Sequence, residues 1–177
     1  EQVLKKLFRN NVNRINVCNR SKYYCGEHIY PVISMLKKNG FVNIKSIPIE
    51  DVDDKSQHYI YEVDRLSIAG SFDFESAYAF PHDTEVVIYY HSKRRIIIPY
   101  NEKSFRKKNY ITVGDYLHDL GFTEIYERPI RDLTVGLITK NGSVENVYIV
   151  EDHETPILQG KLYDYDTRII VTYHTFS

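Results

Sequence analysis

The sequence predicts an α+β fold: two tandem modules, each one helix packed on a small, mostly antiparallel three-stranded sheet. Three observations carry that expectation. The first is an internal repeat. Arg14-Ile15 recurs at Arg95-Ile96, and the same spacing takes Val32 to Val113, Leu36 to Leu117, Gly40-Phe41 to Gly121-Phe122, Pro48-Ile49 to Pro129-Ile130 and Asp51 to Asp132. A constant period of this length marks a tandem array. Tyr90-His91 matches Tyr173-His174 at a spacing longer by two, so the second copy gained residues after Ile149. The second observation is an apolar stripe at helical spacing in each copy. The third is a β-prone run that closes each copy. The boundaries that follow are an N-terminal linker remnant over 1–13, a diverged first repeat over 14–92 and a second repeat over 93–177.

Composition suits a folded domain. The net charge is −1 and the apolar fraction is 42%, ordinary for a globular chain. Each copy is long enough for a modest core. No stretch is long and apolar enough to span a membrane. The chain opens at Glu1 without a signal peptide, which reads as a fragment whose leader or anchor lies outside it.

Each copy opens on a short apolar run, Ile15 to Val17 and Ile96 to Ile98, expected as a strand. A mostly basic segment precedes the helix. In copy one, Ile29, Val32, Ile33 and Leu36 form the apolar stripe, and Pro31 suits the first turn. In copy two, Val113, Tyr116, Leu117 and Leu120 do the same. Gly40 and Gly121 stand where a left-handed residue ends a helix, with Phe41 and Phe122 folding back on Leu36 and Leu117. Extended segments follow, Phe41 to Ile49 and Phe122 to Ile130, closed by prolines that suggest an edge. In copy two, Leu137-Ile138 and Val144 to Ile149 flank Asn141-Gly142, which favours a type I′ hairpin turn. Copy one lacks that dipeptide, with Lys55 to Ile60 in its place. Val86 to Tyr90 and Ile169 to Tyr173 are the closing strands. Lys93 to Asn109 links the copies and supplies the second opening strand.

Searching for catalytic constellations finds no nucleophile elbow, phosphate-binding Gly loop or His-Glu-x-x-His. His91 and His174 recur at equivalent places; each is read as ending or packing the last strand, ahead of a functional role. Asp51 and Asp132 recur beyond Pro-Ile, and are read as fixing a turn through backbone N–H groups. Asp53-Asp54 and Glu151-Asp152 read as solvated turns. Cys18 and Cys25 have no counterpart in copy two. A disulfide between them, metal binding with His28, and two free thiols compete; the disulfide leads if the protein is secreted, the thiols if it is not. Basic stripes, Lys5 to Lys22 and Lys93 to Lys108, suit an anionic polymer or, more simply, a solvated connector. Balanced overall charge and the lack of a nucleic-acid motif argue against nucleic acid. Tyr-rich strands suit sugars or peptides, though Tyr also serves a small core that has no Trp.

Copy two carries Lys108-Asn109-Tyr110, Leu120-Gly121-Phe122, Asp132-Leu133, Gly136, Lys140-Asn141-Gly142-Ser143-Val144 and a closing Ile170-Val171-Thr172-Tyr173-His174-Thr175-Phe176. In these residues it resembles the tandem PASTA-like domain family of Gram-positive (Firmicutes) bacteria. Copy one resembles it more loosely, through Asn39-Gly40-Phe41, Asp51, Phe80-Pro81 and Tyr89-Tyr90-His91. Leu137 stands where the family pattern has Trp. The resemblance implies an extracytoplasmic or cell-surface module, binding peptidoglycan fragments in some members and acting as spacer or dimerisation unit in others. It also implies that a ligand would be met first in copy two, at Asp132, Lys140 and His174. The expected function is a non-catalytic binding or spacer module of a surface or membrane-anchored protein, contacting cell-wall polymer or another protein, with no cofactor. The alternative is an intracellular protein-interaction domain of a multi-domain protein.

Overall fold

The computed structural model describes residues 14–134, 139–151 and 153–177. The linker remnant over 1–13, Gly136, the Leu137-Ile138 strand and Asp152 lie outside the described residues. Contacts divide the chain into two compact units, Glu1–Lys93 and Arg94–Ser177.

In the first unit, β1 (Arg14–Asn16), α1 (Ile29–Lys38), β2 (Ile44–Val52), β3 (Val63–Ile68), β4 (Ala79–Pro81) and β5 (Val86–Lys93) follow one another. The helix forms because its apolar residues recur at helical spacing: Ile29, Val32 and Leu36 are buried. The His28 ring accepts a hydrogen bond from the Tyr30 N–H at 3.4 Å, capping the first turn. At the other end Gly40 adopts φ +107°. The Phe41 N–H then reaches Leu36 O at 3.1 Å and the Gly40 N–H reaches Lys37 O at 2.9 Å. That is a Schellman ending. It delivers Phe41 into a core with Leu36, Leu66, Ile68, Val86, Ile88 and Phe74. Full burial of Leu36 or Phe41 contributes about 1.5–3 kcal/mol each.

The second unit runs β6 (Arg95–Ile97), α2 (Tyr110–Leu120), β7 (Ile125–Leu133), β8 (Val144–Val150), β9 (Glu154–Pro156), β10 (Leu162–Asp164) and β11 (Arg168–Phe176). Asn109 caps α2, its Oδ1 accepting from the Ile111 N–H at 2.9 Å. Gly121, at φ +106°, ends it in the same way as Gly40. Leu117 and Phe122 are buried with Val147, Ile149, Ile169 and Val171.

Three sequence expectations need correction. Most strand pairings are antiparallel, but each main sheet also holds one parallel pairing, and the second has four strands. In the first unit the order is β2-β5-β3, with β5 parallel to β2 and antiparallel to β3. The last strand inserts between two earlier ones, so one pairing is parallel by topology. The second unit repeats this as β7-β11-β8 and adds β9, making four strands instead of three. The prolines do not close their strands: β2 and β7 continue to Val52 and Leu133. Pro48 and Pro129 are tolerated because both strands are edges.

The third correction concerns Asn141-Gly142. Gly142 has φ +78° while Asn141 is not among the residues of positive φ, so the turn has the type II pattern, not type I′. The Ser143 N–H closes it on Lys140 O at 3.0 Å. The Gly142 N–H donates to His174 O at 2.8 Å, and Gly142 O accepts from the Tyr110 N–H at 2.9 Å. The turn therefore ties the start of α2 to the last strand. Copy one has the same turn, contrary to expectation. There the Glu62 N–H reaches Tyr59 O at 3.1 Å, the Tyr61 N–H reaches His91 O at 2.8 Å and Tyr61 O accepts from the Ile29 N–H at 2.9 Å. Tyr61 occupies the glycine position at φ +71°, a conformation that hides the turn from a search for Asn-Gly.

Candidate functional site in each sheet

The central strand of each sheet carries the recurring histidine, and the two neighbouring strands carry carboxylates. In the second unit β7 pairs with β11 in register up to Arg131, then skips Asp132 before Leu133 meets Phe176. On the other side β8 skips Glu145 between Val144 and Asn146. Each skipped residue is the extra one of a β-bulge, which redirects its side chain. Both converge on His174. Nδ1 lies 2.8 Å from Asp132 Oδ2, and Nε2 lies 3.0 Å from Glu145 Oε2. Partial burial by itself would lower the His174 pKa; hydrogen bonds donated by the ring to Glu145 and Asp132, with their charges, outweigh it and raise the pKa above 6.5. The ring is held between two carboxylates. With both ring nitrogens engaged, neither is open to a metal or a substrate.

The first unit repeats the bulges and changes the outcome. β2 skips Asp51 and β3 skips Asp64. His91 Nδ1 lies 2.9 Å from Asp51 Oδ1. Its Nε2, however, is 4.0 Å from Asp64 Oδ1, beyond hydrogen-bond length. The ring is buried at 4% exposure and stacks on His58, with centroids 3.8 Å apart and planes within 6°. His58 Nδ1 is 3.2 Å from Glu62 Oε1. Glu62 also accepts from the Tyr59 N–H at 2.9 Å. That N–H, followed by the His58 ring, holds the Glu62 carboxyl below its ordinary range against the opposing effect of desolvation.

Of the residues singled out in the sequence, Asp132 and His174 come together and Lys140 does not. Lys140 is exposed at the first position of the Asn141-Gly142 turn. Asp51 and Asp132 accept from a histidine ring rather than fixing a turn through the backbone, because the bulge aims them across the sheet. Cys18 and Cys25 are exposed free thiols, unbridged. Tyr24 turns into the core between them, and partial desolvation of the Cys25 sulfur pushes its thiol pKa up. Sequence reasoning missed Asp64 and Glu145, although both follow a repeated valine, Val63 and Val144, at the common spacing. It also missed His58 and Glu62, which face Thr139 and Ser143 in the repeat and therefore leave no repeat signal.

Fold and site together define a small α+β unit whose sheet is clasped by an acid–imidazole group, present twice. No family model and no curated protein matches the chain. Among solved structures it is similar to the entire extracellular region of the Ser/Thr kinase PrkC from Staphylococcus aureus. The identity is 12% and the TM-score 0.41, over 92% of this chain and 48% of that one. A three-PASTA-domain structure of a Ser/Thr kinase from Staphylococcus aureus is similar at 10% identity and TM-score 0.36, over 92% of this chain and 65% of that one. The chain thus spans about half to two thirds of those structures.

Proposed function

We propose that this chain is a non-catalytic, extracytoplasmic binding or spacer module of a bacterial surface or membrane-anchored protein, contacting cell-wall polymer or a protein partner. The observation that carries the binding reading is an aromatic surface beside each turn. In the first unit Tyr61 lies 5.4 Å from Tyr30 and 6.2 Å from Tyr90, and His28 lies 5.3 Å from Tyr30. Tyr30 and Tyr61 are 58% and 40% exposed. In the second unit Tyr110 stacks on Tyr173 at 3.9 Å. Flat aromatic faces with polar tips suit sugar rings and peptides. The non-catalytic reading rests on His174: a base with both nitrogens committed to carboxylates has no site for a substrate proton. Among the described residues no helix is long and apolar enough to cross a membrane.

The test is sedimentation of the chain with purified peptidoglycan, comparing the parent with Tyr30→Ala/Tyr61→Ala. The expected result is pelleting that falls several-fold in the variant. Failure of the parent to pellet above a soluble control protein sinks the cell-wall reading. A second reading, an intracellular interaction domain, is favoured by Cys18 and Cys25 standing unbridged and exposed, the usual state of cysteines in a reducing compartment. Labelling of Cys18 and Cys25 on intact cells with a membrane-impermeant maleimide separates the two. Labelling before lysis supports the surface reading, and labelling only after lysis supports the intracellular one.

A further inference from the structure

We propose that His58, Glu62 and His91 form a zinc(II) site in the first unit, with Asp51 orienting His91 from behind. Ligand atoms of the three side chains all lie within 4.8 Å of one another. Asp51 occupies His91 Nδ1 at 2.9 Å. A carboxylate on one ring nitrogen fixes the tautomer that leaves the other free as a ligand, the usual support behind a metal-bound histidine. The free nitrogen is Nε2, and Asp64 stands 4.0 Å from it. That gap is too long for a hydrogen bond, and closing it by about half an ångström gives the roughly 3.4 Å that separates two ligand atoms on a tetrahedral zinc with bonds of about 2.0–2.2 Å. Asp64 or a water then takes the fourth position.

The donor set selects the ion. Two imidazoles and one carboxylate suit zinc, whereas magnesium and calcium require an all-oxygen shell. The parallel rings of His58 and His91 do not converge on one point as they stand. His91 is fixed in β5, but the His58 side chain is 48% exposed and lies in the connection between β2 and β3. Binding therefore requires the exposed His58 ring to turn out of the stack, while Glu62 and His91 keep their places. The second unit is a built-in contrast. Thr139 and Ser143 replace His58 and Glu62, and Glu145 closes directly on His174 at 3.0 Å, consuming the nitrogen a metal would need.

The experiment uses the full chain carrying Cys18→Ser and Cys25→Ser, so that the thiols contribute nothing, stripped with chelator. Zinc chloride is titrated by calorimetry, with calcium and magnesium chloride as controls. Cobalt(II) is added in parallel, and its visible spectrum reports the ligand field. The expected result is one equivalent of zinc per chain, no response to calcium or magnesium, and a four-coordinate cobalt spectrum. His58→Ala, at an exposed position, should weaken zinc binding at least about tenfold, and Asp51→Asn by about ten- to a hundredfold, both with unchanged circular dichroism. Absence of zinc binding in the thiol-free parent overturns the proposal, as does a His58→Ala variant that binds like its parent. An Asp51→Asn variant with unaltered affinity overturns the orienting role alone.

Discussion

Asp132 reaches His174 across 2.8 Å because β7 carries one residue more than β11 at that point. The bulge takes Asp132 out of the pairing ladder and turns its carboxylate toward the neighbouring strand. Glu145 does the same from β8. The clasp is therefore a product of strand irregularity, and its consequences are electrostatic.

The first is a pH dependence. The folded state favours protonated His174, whose pKa is raised above 6.5. The stabilisation is fully present below that ordinary value and is lost as pH rises through the folded one. Following the imidazole proton shifts by NMR should place the His174 midpoint above 6.5, and a midpoint at or below it removes the clasp as a charged group. His174→Gln should lower the melting temperature at pH 6 and lose that deficit progressively at alkaline pH.

The two turns should respond differently to substitution. Gly142 sits at φ +78°, and a Cβ there would lie 3.4 Å from Asn109 Nδ2. Gly142→Ala should destabilise by about 1–2 kcal/mol, the strain of a left-handed L-residue. Tyr61 already bears that strain at φ +71°. Tyr61→Gly relieves it while removing three ring contacts worth about 0.5–1.5 kcal/mol each, so the two effects oppose and the variant should lose no more than about 3 kcal/mol. Urea melts of both variants measure the difference, and a Gly142→Ala variant as stable as the parent contradicts the account.

Core truncation should report on each unit separately. Leu36 and Leu117 are fully buried where each helix ends on its phenylalanine. Leu36→Ala and Leu117→Ala should each cost about 2–5 kcal/mol. Calorimetry of the two variants should show different transitions moving, one for 1–93 and one for 94–177. A single transition shifted equally by either change would mean that the two units unfold as one.

Lys140 provides the negative control. It is exposed and takes no part in the clasp. Lys140→Ala should change stability by no more than about 0.5 kcal/mol, as surface substitutions do, and leave the His174 midpoint where it is. A shifted midpoint would place Lys140 in the electrostatics of the site.

Much of the local structure was legible because it is set by short-range chemistry. Apolar spacing announced both helices, with Leu36 and Leu117 on the buried stripe. Gly40-Phe41 and Gly121-Phe122 announced their ends, since a left-handed glycine is what a Schellman turn needs. The β-branched runs around Ile88 and Val171 announced the central strands. Recurrence of Asp51 with Asp132 and of His91 with His174 marked positions under a common constraint, without saying what it was.

Tertiary structure alone decided the rest. Strand order places β5 and β11 between earlier strands, a long-range pairing that no local pattern encodes. The bulges bring Asp132 and Glu145 onto His174, residues 42 and 29 positions away along the chain. Tyr61 adopts a glycine conformation because surrounding hydrogen bonds to His91 and Ile29 over-determine it, against its own preference. The stack of His58 on His91 arises because an irregular connection folds over a sheet. Sequence determines what each short segment prefers, through sterics and burial within a few residues. Which carboxylate meets which imidazole depends on register between distant strands, and register is settled only when the whole core packs.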